Sequence, residues 1–344
     1  MECYRMDYIE RLREQLIKQG YGKRYIYLCE QYCTRLLQNG LPVIFDNIHF
    51  SLLLGMTTQD LGKMIFLTDS LYNSISIPKK SGGKREISIP TVNLKYVQRW
   101  ILDNILYNIR VSSQATGFVK GLSIVDNARP HVNKECVITI DIENFFPTIS
   151  FETIFRLFYY YGYTKEMSYV LAKLCTYEGK LPQGAPTSPY LSNIVSLKLD
   201  KRFNSLVNKL SDLNASYSRY ADDLTVSGDK KIVKYVPLFK EIIQDERFIV
   251  NEKKFRVQNK PDRQMVTGII VNEKISVPIQ TKKYIRQQIY YCKKFGVDRH
   301  LEHIKSIRSN YKEYLYGIAY FIKMVENDYG TSLLEELNTI VWDY

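Results

Sequence analysis

The chain has 344 residues, 45% of them hydrophobic, which is enough to bury a sizeable core in one multi-lobed unit or two to three small domains and argues against a disordered polymer. Forty-eight Lys and Arg against 36 Asp and Glu leave a net charge of +12, so the surface attracts a polyanion by counterion release and nucleic acid is the leading partner. No run of about 18 apolar residues occurs and no hydrophobic leader follows Met1, so a soluble, intracellular protein with no membrane partner is expected.

In chain order, Ile9, Leu12 and Leu16 share one helical face up to Gly20, and Tyr25, Leu28, Tyr32 and Leu36 repeat the pattern before Gly40. Residues 1–74 therefore read as a helical segment. Between Ile75 and Pro90, Ser81-Gly82-Gly83 separates two short β-prone stretches and is flanked by Lys79, Lys80, Lys84 and Arg85, the pattern of a basic hairpin. Helices are expected over 91–110, 150–178 and 187–208, with apolar strands around Val137–Ile140 and Tyr217–Val226. This alternation implies an α/β or α+β core. Beyond Gly268 the chain is rich in Lys, Arg and Tyr and reads as helices at 281–295, 299–308 and 311–326. The six cysteines, at 3, 29, 33, 136, 175 and 292, lack C-x-x-C spacing, which argues against zinc and for reduced thiols.

Two acidic positions stand out. The strand pattern Cys136-Val137-Ile138-Thr139-Ile140 delivers Asp141 at its C-terminal end, with Glu143 and Phe145-Phe146 just beyond. Tyr217-Ser218-Arg219-Tyr220 leads into Ala221-Asp222-Asp223 and then Leu224-Thr225-Val226, a hairpin with both aspartates at its turn. Neighbouring side chains on an extended chain point to opposite faces, so one aspartate faces the centre squarely and the other reaches it from the turn; the sequence ranks neither. Clustered carboxylates are the hard oxygen ligands that phosphoryl transfer needs for magnesium, and without a cation they would repel one another and raise a pKa.

Tyr220-Ala221-Asp222-Asp223, together with Asp141 after its strand, resembles the palm signature of reverse transcriptases. Leu181-Pro182-Gln183-Gly184-Ala185-Pro186-Thr187-Ser188-Pro189, lying between the acidic motifs, resembles the segment packing beneath the incoming nucleotide, and Asn251-Glu252-Lys253-Lys254 resembles the later palm motif. Asn127-Ala128-Arg129-Pro130-His131 fits the N-A-x-x-H pattern and Val266-Thr267-Gly268 the V-T-G triplet, both similar to signatures of bacterial retron reverse transcriptases. The resemblance implies an α+β right-hand polymerase with fingers and a ferredoxin-like palm over residues 75–267 and a helical basic thumb over 268–344.

It further implies two Mg2+ ions held by Asp141, Asp222 and Asp223, and Lys254 as the acid that protonates pyrophosphate. Arg85 and Lys84 are expected to hold the dNTP triphosphate, since Arg clamps two oxygens and Lys supplies a flexible charge; Lys79 and Lys80 are weaker candidates. Phe146 is the expected steric gate against a ribose 2′-hydroxyl. Gly184 would allow close backbone approach to the nucleotide while Gln183 hydrogen-bonds near its sugar or base. Asn127, His131, Val266, Thr267 and Gly268 are assigned to RNA binding, with His131 either architectural or in contact with RNA. Lys282, Lys283 and Arg286, interleaved with Tyr284, Tyr290 and Tyr291, form the expected RNA-contacting face of the thumb.

The implied activity is RNA-directed DNA synthesis on a cognate noncoding RNA, giving a 2′-5′ branched, RNA-linked DNA in the bacterial cytoplasm. The implied partners are that RNA and its DNA copy, dNTPs, a separately encoded antiphage effector, and a host ribonuclease H that removes copied template. The alternatives are a reverse transcriptase of the group II intron or diversity-generating kind, an RNA-binding scaffold restraining a toxin, and an RNA-directed RNA polymerase, against which Phe146 speaks.

Overall fold

The computed structural model describes residues 2–78, 82–306 and 308–342. The chain divides into two compact units, one built from 1–113, 143–201 and 243–249, the other from 114–142, 202–242 and 250–344. Each unit is assembled from three separate stretches of the chain.

The first unit is mainly helical. Helices Glu2–Lys18 and Lys23–Gln38 match the expected pair, and Asn47–Leu54 and Thr58–Phe66 add two more within the 1–74 stretch read as helical. Both additions carry start signals: Asp46 accepts from His49 N at 2.8 Å and Thr57 from Asp60 N at 3.1 Å, each satisfying an orphan amide of the first turn. The expected helix over 150–178 is two, Phe151–Tyr160 and Lys165–Cys175. Gly162, at φ 115°, breaks the run, and Thr164 caps the second helix by accepting from Met167 N at 3.1 Å. The basic hairpin is present as β1 (Tyr72–Pro78) and β2 (Lys84–Pro90), antiparallel with Ile77 opposite Arg85 and Pro78 opposite Lys84. Lys79 and Lys80 lie outside the described residues.

The second unit carries a four-stranded antiparallel sheet of β3 (Cys136–Asp141), β4 (Ser216–Tyr220), β5 (Asp223–Gly228) and β6 (Arg256–Asn259), in the order β4-β5-β3-β6. The helices Leu197–Lys209 and Val236–Asp245 occur in the two crossover connections, so the chain runs βαββαβ, the ferredoxin-like topology expected of a palm. Apolar residues cover both faces, which is why β3 reads as a nearly continuous hydrophobic run. On one face Phe203 stacks on Tyr217 at 4.7 Å and on Phe239 at 5.8 Å between ring centroids. On the other, Val137 packs with Val125, Ala128, Val266, Ile269 and Val271. The short ribbon of β7 (Met265–Val266) and β8 (Ile269–Ile270) belongs to this second cluster.

The remainder of the second unit is a helical cluster of Ile279–Phe295, Val297–His303, Tyr311–Val325 and Asn327–Asn338 around Ile285, Ile289, Leu315, Ile322, Leu333 and Leu337. Its last helix was not read from the sequence. Gln288, His300 and Tyr311 satisfy one another inside this core, with Tyr311 Oη donating to Gln288 Oε1 at 2.7 Å. Among the described residues no helix is long and apolar enough to cross a membrane. The five cysteines described as free, Cys29, Cys33, Cys136, Cys175 and Cys292, are all buried.

Candidate active site

Antiparallel pairing of β3 with β5 sets Asp141 directly opposite Asp223, so two carboxylates from distant parts of the chain meet at one end of the sheet. Tyr220 pairs with Asp223, leaving Ala221-Asp222 as a two-residue turn; Ala221 has φ 59°, the positive sign that tight hairpin turns require. The Asp222 carbonyl accepts from Ile142 N at 2.9 Å, tying the turn to the residue after Asp141.

Both oxygens of the buried Asp141 carboxylate are engaged. Asn251 Nδ2 donates to Oδ1 at 2.9 Å and Lys254 Nζ to Oδ2 at 2.7 Å, while Asn251 N donates to the Asp141 carbonyl at 2.8 Å. The Lys254 ammonium is held above its ordinary pKa, chiefly by its hydrogen bond to Asp141, against the opposing effect of burial. Asp223 is pushed up to about 7, first by desolvation of its inner side and then by the charges of Asp222 and Asp141; Lys254 opposes the shift. The Asp223 side chain also keeps a solvent-exposed face.

That repulsion is what a divalent cation relieves, and the donors are hard carboxylate oxygens, so the residues fit such an ion. Among the described residues no three His, Cys, Asp or Glu side chains form a metal cage by themselves. Magnesium commonly takes only one or two carboxylates and completes its shell with water and substrate phosphates, which suits an open arrangement.

A family model described as reverse transcriptase (RNA-dependent DNA polymerase) matches residues 77–276. The Retron Ec86 reverse transcriptase of Escherichia coli is 34% identical over 318 residues, covering 89% of this chain and 97% of its own. The Retron Mx162 reverse transcriptase of Myxococcus xanthus is 32% identical over 346 residues, covering 89% of this chain and 69% of its own. The chain belongs to the retron reverse transcriptases. A solved telomerase from Candida tropicalis aligns with 78% of this chain and 58% of its own at TM-score 0.48 and 11% identity. As a member of its family this reverse transcriptase is an RNA-directed DNA polymerase, an activity that uses a template RNA, dNTPs and a divalent cation.

The expected nucleotide-binding residues Lys84, Arg85, Phe146, Gln183 and Gly184 of the retron reverse transcriptase all lie in the first unit. Lys84 and Arg85 are exposed on β2. Farther along the same strand, Ser88 N donates to the Gln183 carbonyl at 2.8 Å. Gly184 sits at φ 132° so close to this strand that a Cβ there would lie 2.6 Å from the Ser88 carbonyl oxygen. Of the adjacent phenylalanines, Phe145 is buried against Phe248 whereas Phe146 is partly exposed, so Phe146 is the one able to meet a ligand.

Four of the residues expected at RNA contacts are engaged within the fold, His131 in the architectural way that was one of its two expected roles. Asn127, His131 and Val266 are fully buried in the second unit, where no RNA can touch their side chains. Lys282 donates to Glu326 at 2.6 Å and to Ser276 at 3.1 Å, and both ionic partners are largely covered. Lys283 and Arg286 are exposed, as are Gly268 and, in part, Thr267. Asn251 is a site residue beyond those expected; an Asn three residues before a site lysine is a usable signal only once β6 is known to run beside β3. Arg286 also lines a surface depression of about 340 Å³ with Tyr290, Lys293, Lys294 and Glu336.

Proposed function

We propose that this reverse transcriptase copies a cognate noncoding RNA into single-stranded DNA joined to that RNA through a 2′-5′ branch, using two Mg2+ ions. Asp141, Asp222 and Asp223 would hold the ions, which supply activation of the attacking hydroxyl and charge stabilisation of the leaving pyrophosphate. The observation that carries this reading is the pairing of Asp141 with Asp223, with Lys254 on the Asp141 carboxylate.

Lys254, held protonated by that carboxylate, is the proton donor for pyrophosphate. Arg85 and Lys84 grip the triphosphate, Gln183 and Gly184 line the nucleotide, and Phe146 excludes a 2′-hydroxyl. Residues 75–267 act as fingers and palm and 268–344 as the thumb, where the exposed Lys283 and Arg286 meet the RNA phosphate backbone. By analogy with the proteins named retron reverse transcriptases, the enzyme works in the bacterial cytoplasm in antiphage defence, beside a separately encoded effector and a host ribonuclease H.

The test is to purify the protein with its bound RNA, supply labelled dNTPs and Mg2+, and treat the product with ribonuclease and a debranching enzyme. A DNA that shortens on debranching and is absent from the Asp222→Asn/Asp223→Asn variant is the expected result. DNA extended only from a 3′ end would replace the branch with ordinary priming, and absence of DNA would leave an RNA-binding scaffold.

A further inference from the structure

Asn127 and His131 of one short signature and Val266 of the other are buried behind the Asp222-Asp223 hairpin. His131 bridges its two strands: Nε2 lies 2.8 Å from Ser218 Oγ on β4 and Nδ1 lies 2.7 Å from Ser227 Oγ on β5. The Ser218 hydroxyl proton goes to the Asn127 carbonyl at 3.1 Å, so Ser218 accepts from His131 and Nε2 carries the ring proton. Nδ1 then accepts from Ser227. One neutral tautomer satisfies all four groups, whereas a cationic ring would require Ser227 to turn its hydroxyl proton away and accept from Nδ1. Complete burial holds the imidazole far on the neutral side, with its pKa lowered to about 3.

Asn127 extends the network to two further segments. The Thr116 hydroxyl lies 2.9 Å from Asn127 Oδ1 and 3.2 Å from the Arg219 carbonyl, and the Gln114–Thr116 backbone lies along β4, with Thr116 N donating to Arg219 O at 2.9 Å. On its other side Asn127 Nδ2 reaches Thr267 Oγ1 at 3.4 Å. Thr267 and Gly268 form the β7–β8 turn with φ 46° and 87°, both positive. A β-branched residue is poorly suited to that region, where Asn or Gly is the ordinary choice. The Thr267 hydroxyl, placed between Asn127 and the Ile124 carbonyl at 3.5 Å, gives that residue a use the turn alone does not. Gly117 completes the arrangement, because a Cβ there would come within 2.7 Å of Ala221 N in the acidic turn.

We infer that Asn127, His131 and Thr267 are positioning residues for polymerisation, forming with Thr116, Ser218 and Ser227 a buried brace that sets the geometry of the Asp222-Asp223 turn. The brace touches neither substrate nor RNA. It acts through β4 and β5, whose far end presents Asp223 opposite Asp141. This inference rests on the catalytic assignment of the three aspartates.

The test uses the full-length protein, poly(rA)·oligo(dT) as template and primer, and dTTP, so that no cognate RNA is needed. Three variants are compared with the parent: Ser218→Ala/Ser227→Ala, Thr267→Gly and Thr116→Val, with Thr116→Ser as the conservative restoration. The expected result is a kcat lowered by about tenfold in the serine double variant, a loss typical of sub-ångström misplacement, at unchanged KM for dTTP and unchanged template affinity. Thr267→Gly relieves the turn while removing the hydroxyl, so its melting temperature should hold or rise while kcat falls; a merely structural role would move both in the same direction. Unchanged kcat in variants that remain folded, or weakened template binding at constant kcat, overturns the inference. Asp223→Asn is the separate control: if it retains activity, the catalytic assignment has failed and not the brace.

Discussion

At the scale of single residues, the Asp141 carboxylate is the most constrained group of the site, with Asn251 on one oxygen and Lys254 on the other. Lys254→Ala removes a proton donor and should lower single-turnover incorporation on the order of 100-fold with little change in dNTP affinity, Lys254→Arg recovering only part because guanidinium does not give up its proton. Asn251→Ala frees one oxygen of Asp141 and should cost about tenfold in kcat at constant KM. His131 sets a stability dependence on pH. Its folded-state pKa lies near 3 against an ordinary 6.5, so the unfolded chain takes up the proton first as pH falls. Stability is therefore full above pH 6.5 and declines from there towards pH 3. Between pH 6.5 and 5 the loss from this group should be about 2 kcal/mol, read as a stability difference between the parent and His131→Asn that narrows as the solution is acidified.

At the scale of elements, the acidic turn and the Gln183-Gly184 segment are both held by close backbone approaches that admit no side chain. Gly117→Ala would place a methyl 2.7 Å from Ala221 N, and with backbone on both sides the turn itself must shift. The expectation is a destabilisation of about 1–3 kcal/mol by denaturant titration, with loss of polymerisation larger than the fraction unfolded explains. Gly184→Ala meets the Ser88 carbonyl at 2.6 Å and carries the further strain of φ 132°. Within the first unit this change should loosen the contact between β2 and residues 181–189, detected as faster amide exchange at Ser88, whose N–H bonds the Gln183 carbonyl in the parent.

For the whole molecule the net charge of +12 governs association with nucleic acid. Binding to RNA should weaken steeply with salt, and replacing the exposed Lys283 and Arg286 with Gln should reduce the slope of log K against log salt by about one for each phosphate that is no longer neutralised. Lys282→Gln, by contrast, breaks an internal ion pair with Glu326 and should lower the melting temperature more than it alters the salt slope.

Some of this was legible in the sequence because it depends on local pattern. The apolar run before Asp141, the tyrosine-led hairpin ending in Asp222-Asp223 and the Gly82-Gly83 turn each announce their own structure, and their order along the chain resembles one polymerase family. The boundary between the helices Phe151–Tyr160 and Lys165–Cys175 was in the sequence too, at Gly162 and Thr164, but an apolar periodicity that continues across it hides the break. What only the tertiary structure decided is which groups face each other across long intervals of chain. Asp141 meets Lys254, 113 positions away, because β6 pairs beside β3, and His131 meets Ser218 and Ser227 because the Asn127 segment packs on the polar side of the hairpin. Polar signature residues read by themselves look like surface contacts. Burial turned Asn127 and His131 inward, since each finds all its hydrogen-bond partners inside the fold, and that pairing depends on three-dimensional register rather than on any run of neighbouring residues.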